Sequence, residues 1–307
     1  MFGKAVVRDM ISRSAENEND RRVFLKSAGV AGLGVLGAGS VGVLSPAEAG
    51  HVPSDAAILN FALNLEYLEA EFYSQAAFGR GLDSSLTTGN GDRGPVVGGR
   101  EVQFKTPSIR KYATEIARDE IDHVRFLRSA LGGAKVSRPK INIRHSFTTA
   151  ARAAGLIGPK QTFDPYANEN NFLLAAFIFE DVGVTAYKGA APLINNKTYL
   201  GAAAGILAVE AYHAAIIRTS LYEKGFQSQA RKISDARDSL DGGGDIDRGI
   251  GTKKRANLVP TDKNGLAYSR TPGEVLNVVY LTPKSRTQGG FYPDGVNGSL
   301  RRSDANG

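Results

Sequence analysis

The chain contains no cysteine at all, which excludes disulfides, thiolate metal ligands and a thiolate-held iron centre. It also lacks a strong charge bias. Thirty-eight basic residues face thirty-one acidic ones, for a net charge of +7, and the excess is spread along the chain. The short runs Lys253-Lys254-Arg255 and Arg301-Arg302 have no accompanying binding motif, so they read as solvated surface and no nucleic-acid partner is expected. Long apolar runs are lacking too, apart from one near the N-terminus, so no stable membrane span is expected once that run is removed. Histidine is scarce, at four residues, and this scarcity makes the spacing around each one informative.

The N-terminal run is the Gly/Ala-rich stretch 27–44. It follows Arg21-Arg22-Val23-Phe24-Leu25-Lys26, a twin-arginine motif, and precedes Ala47-Glu48-Ala49, a small-x-small cleavage site. These features predict a Tat signal over residues 1–49, cleavage after Ala49, the Tat export machinery as a partner, and a periplasmic or secreted mature protein. That route carries folded proteins, which suits a protein loaded with metal before export.

Two of the four histidines, His123 and His213, have a glutamate three residues earlier: Glu120 and Glu210. Glutamate is 14 of 307 residues, so one such coincidence is expected about once in twenty histidines. Positions i and i+3 lie roughly 60° apart on a helix, so each Glu-x-x-His pair can grip one ion. Each pair is preceded by an apolar segment with its own glutamate, Glu66 or Glu180, and a tyrosine seven residues on, Tyr73 or Tyr187. The order Glu…Tyr, then Glu-x-x-His, thus occurs twice. Phe177, Ile178, Phe179, Val182 and Val184 surround Glu180, and a carboxylate in such company is costly unless paired or metal-bound. On α-helical geometry Glu69 lies about 60° from Glu66 and could replace or join it, whereas Glu71 lies about 140° away. Glu66 is taken on the repeat with Glu180, with Glu69 as the reserve. Tyr73 and Tyr187 are either core aromatics or hydrogen-bond donors to the ligand carboxylates. His145, with no patterned carboxylate, and His51 are not taken as ligands.

This set, in this order, resembles the ferritin-like di-iron or di-manganese carboxylate superfamily, and the Glu-x6-Tyr feature is similar to its rubrerythrin-type members. More narrowly, the stretches 163–172, 182–187 and 289–298 (Gly-Gly-Phe-Tyr-Pro-Asp-Gly-Val-Asn-Gly) resemble bacterial ferritin-like proteins related to plant desiccation-related proteins. The likeness covers most of the chain from about residue 54. It implies an all-α fold, a four-helix bundle with a long crossover between its second and third helices.

Local signals place the elements. Ser54-Asp55 opens a first helix to about Phe78. Thr106-Pro107 offers an N-cap and a first-turn proline for a second helix, which Gly132-Gly133 stop. About 35 residues of crossover follow. The third helix spans about Asn168 to Lys188, and the fourth runs from about Lys197 to Lys224, ending at Gly225. The bundle is thus expected over residues 50–225 and a mostly irregular extension over 226–307. Thr271-Pro272-Gly273-Glu274 is a capping box for one short helix docking through Val275, Leu276, Val278 and Val279. Asp241-Gly-Gly-Gly-Asp245-Ile-Asp247 lacks the EF-hand order and its distal glutamate, so it reads as a loop. The length of the extension and its scattered apolar residues point to a homo-oligomer.

The expected cofactor is two iron or two manganese ions. Glu66, Glu120 and His123 would mainly hold one, and Glu180, Glu210 and His213 the other; by resemblance Glu120 and Glu210 are the bridges. Four carboxylates against two divalent ions leave the reduced site near neutral, which suits redox cycling. The expected function is an oxidoreductase acting on hydrogen peroxide or dioxygen, by catalase, peroxidase or ferroxidase chemistry, with a tyrosine or nearby carboxylate handling protons. The absence of an electron-transfer centre favours the catalase form. The alternative is an iron-binding or stress-protective protein without turnover.

Overall fold

The computed structural model describes residues 53–306. The signal region 1–49, its cleavage point and His51 lie outside the described residues. Four long helices carry the fold: α1 (Asp55–Phe78), α2 (Pro107–Leu131), then, after the short α3 (His145–Ala153), α4 (Glu169–Ala190) and α5 (Lys197–Glu223). The fold is all-α, a four-helix bundle in which α1 packs on α2 and α4 on α5.

Caps set most of the ends. The Ser54 hydroxyl accepts from the Ala57 amide at 3.2 Å, and Gly79 closes α1 with φ +67°, a left-handed conformation that glycine adopts without steric cost. Asn168 and Asn196 accept from the first amides of α4 and α5. Thr106 sits at the N-cap of α2 but caps nothing itself. Its hydroxyl and amide both donate to Glu169, at 2.7 and 2.8 Å, because the start of α4 lies beside it and offers a stronger acceptor. Asp55 is similarly turned outward from its own helix and accepts from the amides of Asn195 and Asn196, pinning the α4–α5 turn.

The α2–α4 crossover contains α3 and the strand Ile141–Asn142, which pairs in parallel with Val96–Val97 of the α1–α2 loop. His145 begins α3 and is exposed.

The helix α5 is long and apolar enough, by length and composition, to cross a membrane, with a mean hydropathy of 1.6 over 18 residues. Here it packs along α4 and turns its two ionisable central residues, Glu210 and His213, into the bundle.

The extension holds two helices, α6 (Gln227–Asp241) and α7 (Pro272–Tyr280). The capping box of α7 is formed as expected, with Thr271 and Glu274 each accepting from the other's amide, and Val275, Leu276, Val278 and Val279 are buried. The helix α6 was not expected from the sequence. Its buried face includes Ser234, Arg237 and Asp241 beside Ala230 and Ile233, so the apolar stripe that marks a helix is half polar.

Those polar residues join a buried ionic network. Asp181 of α4 accepts from Arg218 at 2.7 Å and from Arg237 at 2.8 Å. Asp247 accepts from Arg237 and Arg270, and Asp241 accepts from the Arg270 Nε at 2.7 Å. Asp238, Asp241 and Asp247 come close together, but guanidinium groups already hold two of the three, so the stretch 241–247 is a loop anchored by arginine. Removing one member of such a network strands a buried charge, which costs about 3–5 kcal/mol. Arg237→Ala should therefore lose roughly that much in chemical denaturation; a change under about 1 kcal/mol would show that the network contributes no more than a surface pair.

Candidate metal centre

The two antiparallel pairs bring all six sequence-expected ligands to one buried place. Glu66 comes from α1, Glu180 from α4, Glu120 and His123 from α2, and Glu210 and His213 from α5; none is more than 8% exposed. His123 Nδ1 lies 3.1 Å from Glu66 Oε2, 3.5 Å from Glu120 Oε2 and 3.6 Å from Glu210 Oε1. His213 Nδ1 lies 3.1 Å from Glu120 Oε1 and 3.8 Å from Glu180 Oε2. The ring centroids of the two histidines are 6.3 Å apart. The donors fall into two groups, Glu66, Glu120, His123 and Glu210 in one and Glu120, Glu180 and His213 in the other, with all ligand atoms of a group within 4.8 Å of one another. Glu120 belongs to both. Glu210, expected mainly beside Glu180 and His213, falls instead in the His123 group.

Tyr73 and Tyr187, both buried, donate hydrogen bonds to the ligand carboxylates in a crossed pattern: Tyr73 to Glu180, and Tyr187 to Glu66. Each tyrosine thus serves the glutamate of the other repeat. The cause is that α1 and α4 run antiparallel, so residues seven apart on one helix meet residues seven apart on the other in reverse order. Burial, reinforced by the facing carboxylate, pushes both phenols well above their usual range, so they remain proton donors.

Both oxygens of Glu120, both of Glu210, Glu180 Oε2 and His213 Nδ1 are buried without a hydrogen-bond partner among the described residues. Six unsatisfied polar atoms gathered in these two groups are expensive in a helical interior unless cations lie among them. The donor set, oxygens with two imidazole nitrogens, fits iron or manganese.

Two further side chains belong to the site. Asp119, 3.1 Å from His213 Nε2, fixes the outer nitrogen of that ring; apart from its position next to Glu120, no pattern in the chain points to it. Glu69, the reserve ligand, is also buried beside the cluster.

In the protein without metal, protons take the place of the cations. Burial alone would lower His123; the neighbouring Glu66 and Glu120 carboxylates outweigh it and push the imidazole up to about 11. For His213 burial is outweighed by Asp119 and Glu120, and its value rises to about 10. Burial raises Glu66 and Glu180, and beneath both histidines Glu120 is held below the usual carboxylate range.

A ferritin-like domain model matches residues 54–223, and the chain belongs to the ferritin-like family. Its buried Glu/His cluster is a metal-binding arrangement. The chain is similar to the desiccation-related protein PCC13-62 of Craterostigma plantagineum, at 35% identity over 80% of this chain and 83% of that protein. It is also similar to the ferritin-like catalase Nec2 of Nesocodon mauritianus, at 32% identity over 81% of this chain and 85% of that protein. No solved structure matches the chain.

The raised histidines set a pH dependence. Their protons are held more tightly in the folded than in the unfolded chain, whose histidines titrate near 6.5, so this contribution to metal-free stability is complete below pH 6.5 and is lost as pH rises through about 10 to 11. Metal must displace the same protons. Between pH 6.5 and 10 the melting midpoint of the metal-free protein should fall while its affinity for Mn²⁺ rises, with proton release on loading. A metal affinity independent of pH in this window, measured by titration calorimetry in buffers of different ionisation enthalpy, would remove both histidines from the ligand set.

Proposed function

We propose that the chain is a dinuclear manganese or iron oxidoreductase that disproportionates hydrogen peroxide to water and dioxygen, and that it acts outside the cytoplasm. The observation that carries this reading is the convergence of four carboxylates and two imidazoles, with unsatisfied donor atoms, at the centre of a closed bundle. The similarity to a protein named a ferritin-like catalase supports it, as does the absence of cysteine for a built-in thiolate electron carrier.

Two metal ions held by Glu66, Glu120, His123, Glu180, Glu210 and His213 would supply reversible electron exchange, so that one peroxide is oxidised to dioxygen and a second is reduced to water. The rest of the work falls to the chain. Glu120 lies against both histidines and holds their spacing, and Glu210 closes the His123 side. Asp119 keeps the His213 ring turned with Nδ1 inward. Tyr73 and Tyr187 orient Glu180 and Glu66 and keep a proton available at each phenol oxygen. A surface groove of about 590 Å³, lined by Tyr112, Ile116, Asp119, Tyr212 and His213, leads from solvent to the edge of the site. A small neutral oxidant fits this approach.

The relative named for desiccation favours a second reading, a stress-protective or iron-binding bundle that does not turn over. Elemental analysis and an oxygen-evolution assay on one sample separate the two. The expected result is about two manganese or iron ions per chain and oxygen release from peroxide, with both the metal content and the release lost in Glu180→Ala and His213→Ala. Bound metal without release selects the second reading.

Export is part of the proposal: the twin arginines, the apolar run 27–44 and Ala47-Glu48-Ala49 address the chain to the Tat machinery. Replacing Arg21 and Arg22 together by lysine should hold full-length protein in the cytoplasm on fractionation; mature-length protein outside the cell in that variant would refute Tat routing.

A further inference from the structure

We propose that the outward face of α5 is a self-association surface, on which a second copy of this chain packs its own α5 in antiparallel register. The inference goes beyond the reading of the metal site and holds whichever metal is bound.

Four large apolar side chains are left exposed among the described residues, Tyr112, Tyr212, Val259 and Leu266, and all of them lie on α5 or along its borders. Tyr212 stands on the helix itself and is 71% exposed. Tyr112 of α2 lines the same groove, the one that reaches His213. On the other flank Val259 shares a second, largely apolar groove with Ala211 and Ala215 of α5 and with Ala267, the chain neighbour of Leu266. Between these borders the helix offers no charge. From Thr198 to Tyr222 its acidic and basic residues are Glu210, His213 and Arg218, and each of them is buried. At about 100° per residue, Lys197, Gly201, Ala208, Tyr212, Thr219 and Glu223 fall on one outward stripe. A continuous apolar surface of this kind marks an interaction site.

Charge names the occupant. The stripe begins at exposed Lys197 and ends at exposed Glu223, and neither is ion-paired among the described residues. If two copies meet about a twofold axis beside Glu210, midway between those ends, Lys197 of each copy faces Glu223 of the other and Tyr212 of each packs on Ala208 of the other. A lipid surface would instead favour basic residues along the whole border of the stripe, whereas one end here is acidic. In the same register Gly201 and Ala204 of the second copy face Thr219 and Ile216, which line the groove that reaches His213. Their lack of bulk leaves that entrance passable to a small molecule.

The size of the face agrees. The 27 residues of α5 span about 40 Å, and half of a neighbouring element on either side makes the face about 20 Å wide. That is roughly 800 Å² per copy, the area of a standard stable interface.

The test is sedimentation of the mature, metal-loaded chain over a range of concentrations. Wild type should be a dimer at micromolar concentration. Ala208→Arg, which sets an unpaired charge near the centre of the seam, should weaken the dimer more than about a hundredfold while its metal content stays that of wild type. Lys197→Glu or Glu223→Lys alone creates two like-charge pairs and should weaken it roughly tenfold; the two changes together should restore it. That charge swap reads the register even if the arginine variant folds poorly. A wild type that remains monomeric, a dimer indifferent to Ala208→Arg, or a double variant no tighter than the single ones would overturn the proposal. So would a monomer carried up with floating phosphatidylcholine vesicles, which would assign the face to lipid.

Discussion

Mutual repulsion among buried carboxylates is the constraint to which the rest of the structure answers. Glu66, Glu69, Glu120, Glu180 and Glu210 share a dry interior with two imidazoles, and no arrangement of helices alone makes that comfortable. Without metal, protons on His123 and His213 relieve part of the repulsion; with metal, the cations would do so more completely. The fold must therefore hold like charges together against their own preference. It does so with a thick apolar jacket on α1 and α4 and with the hydrogen bonds from Tyr73 and Tyr187 that fix Glu180 and Glu66 from behind.

The extension contributes to that restraint. The helix α7 and the segment around Phe291 and Tyr292 cover the side of the bundle where α1 and α4 meet, and the Tyr292 hydroxyl donates to the Asn64 carbonyl at 2.7 Å, two residues from Glu66. Asn297 exchanges hydrogen bonds with Asn64 and donates to the carbonyls of Asp92 and Ser137. Behind Glu180, its neighbour Asp181 is gripped by Arg218 and Arg237. These ties act on backbone adjacent to ligands, which links the tail to the precision of the site.

Much of this was legible in the sequence because the responsible signals are local. Caps, a first-turn proline and glycine stops marked the four long helices to within a residue or two, and Glu-x-x-His places two donors on one helical face whatever else the chain does. The doubling of Glu…Tyr marked which glutamates mattered. What was hidden depends on tertiary neighbours. Asp119 reveals its partner only when α5 is packed beside α2, and the bond of Thr106 to Glu169 requires α4 at its side. The helix α6 escaped notice because arginine and aspartate fill core-facing positions where periodicity analysis looks for aliphatic residues. The crossed partnering of the tyrosines likewise depends on the antiparallel course of α1 and α4, which no spacing within one helix discloses.

That crossing makes helix register indivisible. With Tyr73 on Glu180 and Tyr187 on Glu66, sliding α1 past α4 by a single residue would swing both phenols off their acceptors at once, since neighbouring helical positions differ by about 100°. The seven-residue interval in one helix is therefore a measure against which the other is cut. A lineage that inserted or deleted a residue within either interval would have to make the matching change in its counterpart, so these two stretches of gene are bound to change length together or not at all.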